Sequence, residues 1–157
     1  MPTLHTIGYE KASLDEMIAA LRAAGVKTII DVREHPVSRR PGFSKGALSR
    51  ALAAAGVGYC SVTALGTPKP GQEAAKEGRL DDFHAIFAAH LATPAAEAAL
   101  AAVAGRLAAG EAGLCLLCYE RDPAQCHRSL VAAAIARLIA VEVVHLTAGG
   151  PGSPFLP

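Results

Sequence analysis

Short apolar runs, rich in β-branched residues, alternate along this chain with longer segments whose apolar residues recur at helical spacing. The five apolar runs cover residues 4–7, 26–32, 57–62, 113–119 and 141–146. Strands that alternate with helices in this way form a mostly parallel sheet, because each helical crossover returns the chain to the same end of the sheet. We therefore expect an α/β fold: a single three-layer, Rossmann-like domain with a mostly parallel sheet of about five strands and helices on both faces.

Capping and turn residues divide the chain into elements without marking a domain boundary. Ser13 and Glu16 have the spacing of a helix capping box, and residues 66–71, with their two prolines, are predicted to form a loop. No linker or internal repeat is visible. We expect one domain over residues 1–157, with a core at about 3–147 and an irregular C-terminal tail at 148–157.

Composition narrows the class of protein. With 52% hydrophobic and 18% charged residues the chain is expected to fold, and charges such as Glu97, Arg106 and Arg137 interrupt its longest apolar stretches. The N-terminus shows no basic region followed by an apolar one, so we expect a cytoplasmic protein without a membrane partner. A net charge of +1 does not favour nucleic acid as a partner, and the four cysteines are expected to be free thiols.

Polar side chains of unusual type follow the predicted strands at their C-terminal ends. In open α/β sheets these ends lie along one edge, and ligands bind just beyond it. Residues far apart in sequence are therefore expected to meet in one site, and those we assign to it are Gly8, Tyr9, Asp31, Arg33, Ser38, Arg39, Phe43, Cys118, Glu120, Cys126, His127 and Arg128.

The tripeptide Cys126-His127-Arg128 opens a predicted helix. Unpaired backbone N–H groups at a helix N-terminus attract anions and favour the thiolate form of a cysteine. This position predicts a nucleophile at Cys126, an anion contact at Arg128, or both. Alternatively, Cys126 packs under the helix and Arg128 binds a carboxylate such as Asp122 or Asp31.

Cys118 ends the fourth predicted strand, and Glu120 shares its side-chain parity. A thiol and a carboxylate are therefore expected to face the cleft together, with Glu120 or His127 as acid or base, whereas Cys115 has the opposite parity and is expected in the core. Cys118, Cys126 and His127 could supply three ligands to a metal ion. Their spacing matches no standard zinc pattern, so we expect no metal, and no cofactor is indicated.

The segment after the second predicted strand is rich in arginine. Asp31 and Arg33 lie on one side of the strand end, where they bind a ligand or pair with each other. Arg39 follows on a loop between two prolines and is predicted, with Arg33, to bind an anion, because guanidinium groups suit phosphate and carboxylate. Phe43 either stacks on a base or sugar or anchors this loop to the core.

Several of these residues fall into ordered motifs that resemble the domain of unknown function 488 family. The motifs are Thr6-Ile7-Gly8-Tyr9, then Asp31-Val32-Arg33 with Pro36, Ser38-Arg39 and Phe43, then Leu65-Gly66, and finally Cys118-x-Glu120-x-x-Pro123-x-x-Cys126-His127-Arg128. The resemblance covers about residues 3–147. It implies an α/β domain without an established biochemical activity.

Three functions remain open at this point. The first is a small enzyme that acts on an anionic, phosphate-bearing or nucleotide-like molecule, with Arg33, Arg39 and Arg128 as anion ligands and Cys118 or Cys126 as nucleophile. The second is a sulfurtransferase, because residues 30–34 and the cysteine at a late strand end resemble a rhodanese. The third is a non-catalytic module that binds nucleic acid or protein through the basic segment 33–45.

Overall fold

A computed structural model describes residues 1–149, with the side chain of Gln125 left aside. The strands are β1 (Thr3–Gly8), β2 (Thr28–Asp31), β3 (Gly58–Ser61), β4 (Leu114–Cys118) and β5 (Glu142–Thr147). The helices are α1 (Leu14–Ala23), α2 (Lys45–Ala54), α3 (Lys69–Lys76), α4 (Leu80–Leu91), α5 (Pro94–Ala108) and α6 (His127–Ala136). Of the predicted tail at 148–157, all but the first two residues lie outside the described part.

The five strands form one sheet in the order β3-β2-β4-β1-β5, and every neighbouring pair is parallel. The predicted α/β fold is confirmed. In the register of the central strands, Gly8 pairs with Cys118 and Asp31 pairs with Leu117. The C-terminal ends of β1, β2 and β4 are therefore level, and the residues that follow them start from one edge of the sheet.

Helices cover both faces of the sheet, as predicted. One core cluster packs Met17 of α1 and Leu48 of α2 against Cys115, and the other packs α4, α5 and α6 against Leu116 and Cys118. Alternation along β4 thus places Cys115 and Cys118 on opposite faces, because successive side chains of a strand point to opposite sides. The expected core position of Cys115 is confirmed by its complete burial.

Local sequence signals account for the ends of most helices. The Ser13 hydroxyl accepts a hydrogen bond from the Glu16 backbone N–H, and the Glu16 carboxylate accepts one from the Ser13 backbone N–H. The predicted capping box is therefore present. The predicted loop over residues 66–71 is confirmed for residues 66–68 and wrong from Lys69, where α3 begins. Proline fits the first turn of a helix, where its missing N–H has no partner to lose, and the residues after Gly71 are mostly good helix formers.

The described range, residues 1–149, contains six α-helices. Within this range no single helix is long and apolar enough to cross a bilayer. Helices α4 and α5 reach the required length and composition only as a pair, and they are bent by 77° at the break between them.

Candidate functional site

A cavity of about 600 Å³ opens beyond the C-terminal ends of β1, β2 and β4. Its deepest polar part, here the pocket floor, is made by Cys118, Glu120, Cys126 and His127. One side is made by α3 and α4, and this helical wall consists of Gln72, Ala75, Lys76, Leu80, Phe83 and His84. All four predicted catalytic residues therefore line one pocket.

The shortest contact on the pocket floor joins Cys118 to His127. The Cys118 sulfur lies 3.3 Å from Nδ1 of His127, and the Cys126 sulfur lies 4.0 Å from the same nitrogen. Cys118 follows from the end of β4, whereas His127 is the first residue of α6. Both thiols therefore approach one face of one imidazole, with Cys118 the nearer.

The His127 ring is oriented by two contacts away from the thiols. Its Nε2–H donates to the carbonyl oxygen of Val32 at 2.8 Å, and its edge packs against the Phe87 ring with centroids 5.5 Å apart. Because a carbonyl oxygen can only accept, Nε2 carries the proton in the neutral ring. Nδ1 is then the acceptor nitrogen of the ring, and it is also the nitrogen nearer to the Cys118 sulfur, at 3.3 Å against 3.9 Å for Nε2, so this pair can pass a proton from thiol to imidazole.

The loop that carries Glu120 is fastened to the sheet by Arg128. The Arg128 guanidinium is completely buried and donates to the carbonyl oxygens of Glu120 and Arg121, while its Nε–H donates to the Thr6 hydroxyl at 3.0 Å. We predicted that the Arg128 guanidinium binds an anion, but its donors are engaged by these acceptors of the protein. Arg128 therefore positions the loop, and it binds neither of the carboxylates, Asp122 and Asp31, that the alternative named.

Gly8 has a steric role beside this loop. A Cβ atom at this position would overlap the carbonyl group of Glu120 and meet Nη1 of Arg128 at 2.9 Å. Only glycine allows the backbone of Glu120 to cross so closely over the end of β1. The structure thus accounts for Gly8 by close packing, and the neighbouring Tyr9 does line the pocket.

Burial and hydrogen bonding shift the protonation equilibria of the floor. Burial, with the nearby Cys118, raises the pKa of the Cys126 thiol far above its usual value. Burial lowers the pKa of His127, but contacts with Cys126 and the Val32 carbonyl and the charge of Glu120 outweigh it and leave that pKa raised. Burial therefore favours the neutral thiol form of Cys126.

Arg33 lies at the edge of the pocket, but its donors are directed into the protein. Its Nε–H and Nη2–H groups donate to the Asp31 carboxylate at 2.9 and 2.7 Å, and its Nη1–H groups donate to the Tyr9 hydroxyl at 3.2 Å and the Phe43 carbonyl at 2.7 Å. Tyr59 also donates to Asp31. Desolvation lowers the pKa of Arg33, yet the Asp31 carboxylate outweighs it and raises that pKa. This buried pair braces the end of β2, and Asp31 is fully covered.

The predicted loop ligands lie beside the pocket or behind it. Phe43 is buried and stacks on Tyr9 with centroids 4.6 Å apart, so it anchors its loop to the core. Ser38 accepts from the Arg40 backbone, which shapes the loop. Among the described residues, those that line the pocket do not include Ser38, Arg39 or Phe43, and Arg39 is exposed.

The helical wall is the part of the site that the sequence did not reveal. It contributes the exposed cation Lys76 and the exposed imidazole of His84, with His35 close by in the pocket lining. Gln72 donates to Glu34 at 2.6 Å, which ties the wall to the end of β2. The available signal was the spacing of the lining residues, which is i, i+3, i+4 in each helix: 72, 75 and 76, then 80, 83 and 84.

Three atoms of the pocket floor could together hold a metal ion. The sulfurs of Cys118 and Cys126 and a ring nitrogen of His127 all lie within 4.8 Å of one another, and all three residues are buried. A carboxylate oxygen of Glu120 lies 3.7 Å from the Cys118 sulfur. Thiolate and imidazole are the ligands that zinc prefers.

Comparison with known proteins identifies a family. The model for the Domain of unknown function DUF488 matches residues 13–135, which include the pocket floor and the helical wall. No curated protein and no solved structure matches the chain. The resemblance inferred from the motifs is confirmed, and this chain belongs to the domain of unknown function 488 family.

Proposed function

We propose that this protein is an enzyme that uses Cys118 as a nucleophile and His127 as its proton acceptor, acting on an anionic, phosphate-bearing or nucleotide-like small molecule. The observation that carries the proposal is the 3.3 Å contact between the Cys118 sulfur and Nδ1 of His127, with the opposite ring nitrogen committed to Val32. A thiol paired with an oriented imidazole in a pocket is the arrangement of cysteine-dependent transferases and hydrolases.

The chemical step follows from the positions of the protons. Nδ1 of His127 takes the thiol proton, and the Cys118 sulfur uses the freed electron pair to form a bond with an electrophilic phosphorus, carbon or sulfur atom of the substrate. The bond between that atom and its leaving group breaks, and the leaving group departs with the electron pair. The imidazolium then returns its proton to the leaving group.

Glu120 supports this proton transfer through its charge. Its carboxylate lies near both Cys118 and His127, and its negative charge favours the protonated form of the ring. Burial of the floor removes competing water, so these interactions are stronger than they would be at the surface. We assign Glu120 to stabilising the imidazolium and His127 to moving the proton.

The anionic character of the substrate is supported by Lys76, with His35 and His84 as further donors at the mouth of the pocket. Arg33 and Arg128, the sequence-based candidates, are already engaged by acceptors of the protein. A negatively charged group held near the helical wall would leave its reactive atom directed toward the floor.

The test is the rate at which iodoacetamide labels Cys118 in the wild type and in His127→Gln at pH 7, measured by peptide mass spectrometry. Glutamine keeps an amide N–H for the Val32 carbonyl but cannot accept the thiol proton. We expect labelling of Cys118 to fall roughly tenfold or more. All reactions contain a chelator, because a metal ion on the three donor atoms would mask the thiol.

Two cysteines of the same chain serve as controls. Cys60 is partly exposed and outside the pocket lining, so its labelling rate should be equal in both proteins. Cys115 is fully buried and should stay unlabelled as long as the variant is folded. Equal labelling of Cys118 in the two folded proteins would remove His127 as its base and overturn the proposal.

A further inference from the structure

We propose that Cys118, Cys126 and His127 form a binding site for one zinc ion, with the fourth position of the ion taken by water or by a substrate atom. The two sulfurs approach the same ring nitrogen, Nδ1 of His127, at 3.3 and 4.0 Å. Two sulfurs and one imidazole nitrogen are thus gathered within 4.8 Å of one another, and thiolate and imidazole are ligands that zinc prefers. The site stands on this donor geometry and does not depend on the function proposed above.

The separations of the donor atoms suit a tetrahedral ion. Zinc bonds of about 2.3 Å to sulfur and about 2.0–2.1 Å to nitrogen place tetrahedral donors roughly 3.5–3.8 Å apart. The observed separations from Nδ1 to the two sulfurs lie on either side of this range, and the three atoms are all within 4.8 Å. A side-chain adjustment of less than about 1 Å would bring them to the ion.

The orientation of His127 is that of a metal-ligating imidazole. Such histidines donate the second ring N–H to a carboxylate or a backbone carbonyl, which fixes the tautomer and directs the other nitrogen at the metal. Here Nε2–H donates to the Val32 carbonyl at 2.8 Å, and Phe87 packs against the ring. The ring is therefore held with Nδ1 toward the thiols before any ion arrives.

Glu120 places a carboxylate beside this site without belonging to the group of mutually close donor atoms. Its Oε2 lies 3.7 Å from the Cys118 sulfur. Arg128 holds the backbone of this residue in place through the Glu120 carbonyl. Binding of zinc would release the thiol protons of Cys118 and Cys126 to solvent, and the occupied site would mask Cys118 from electrophiles.

The experiment titrates reduced, chelator-free protein with cobalt(II), which reports its ligands by absorption. We expect saturation at one equivalent, a thiolate-to-metal band in the near ultraviolet, the visible bands of a tetrahedral ion, and loss of both when zinc(II) is added. Cys126→Ser should weaken binding at least about tenfold, and Glu120→Gln should weaken it severalfold. Cys60→Ser, with its change outside the pocket, should bind as the wild type does.

Absence of a thiolate band in the wild type would overturn the metal site, as would equal cobalt affinity in folded Cys126→Ser and Cys60→Ser. Cys118→Ser provides the same comparison if Cys126→Ser does not fold. The alkylation test runs in chelator, so the two proposals fail separately. A reactive Cys118 without cobalt binding removes only the metal site, and cobalt binding with an unreactive Cys118 removes only the proposed nucleophile.

Discussion

The pocket floor and the helical wall differ in how their side chains are held. Cys118 and Cys126 are each 4% exposed and His127 is 8% exposed, and the floor is fixed by hydrogen bonds to backbone carbonyls. The wall presents exposed side chains from two short helices, and Leu80 is 59% exposed. Under the proposed function, the reactive groups lie on the buried floor, whereas the substrate contacts lie on the more exposed helices beside it.

The two regions also use positive charge differently. Arg128 is fully buried and bonds only to protein acceptors, whereas Lys76 is exposed at the pocket mouth. A buried cation with all its partners inside the fold stabilises the native state. An exposed one contributes little to stability and remains available to a ligand.

The largest effect is expected from Arg128→Met. Methionine keeps the apolar stem but removes the donors of the Glu120 and Arg121 carbonyls in the interior, whereas the Thr6 hydroxyl retains its hydrogen bond with His145. We expect the free energy of unfolding to fall by about 3–5 kcal/mol in urea denaturation. Lys76→Met is the matched control and should change it by no more than about 0.5 kcal/mol. Similar losses in the two variants would contradict the distinction between floor and wall.

We expect a smaller effect from Lys76→Gln, on the relative rates at which a charged and a neutral reagent label Cys118. Iodoacetate and iodoacetamide differ mainly in charge, so the ratio of their rates at Cys118 reports how the pocket treats an anion. Loss of the Lys76 charge should lower this ratio roughly threefold to tenfold, with the iodoacetamide rate nearly constant. Peptide mass spectrometry measures both rates.

Arg39→Gln is the control for that ratio. It removes the same charge from an exposed position outside the pocket lining, so the ratio should stay at the wild-type value. The opposite result would be a lower rate ratio in Arg39→Gln and an unchanged ratio in Lys76→Gln. Anion recognition would then lie at the arginine loop, as the sequence predicted, and not at the helical wall.

Much of the floor was predictable from the sequence because its residues directly follow strands. Parallel strands end at one edge, so Cys118 and Glu120 could be placed near His127 without any knowledge of the strand order. Side-chain parity likewise separated Cys118 from Cys115. These inferences needed only the period of a strand and the direction of the sheet.

The wall and the arginine contacts were not predictable, for two physical reasons. The two prolines and two glycines of residues 66–71 are typical of a loop, and they concealed the first turn of α3. The sequence also shows a charge but not its partner, so Arg33 and Arg128 were assigned to a ligand when backbone and carboxylate oxygens of the protein bind them. The first error concerns local secondary structure, and the second concerns tertiary contacts that no local pattern specifies.

The most direct test of the account is the relative rate at which iodoacetamide labels the four cysteines of the reduced wild-type protein at pH 7 in chelator. We predict that Cys118 reacts fastest, ahead of the more exposed Cys60, because His127 takes its proton. Cys126 and Cys115 should lag far behind, since burial raises the pKa of each thiol. Labelling that follows exposure, with Cys60 first and Cys118 as slow as Cys126, would contradict an activated thiol on the pocket floor.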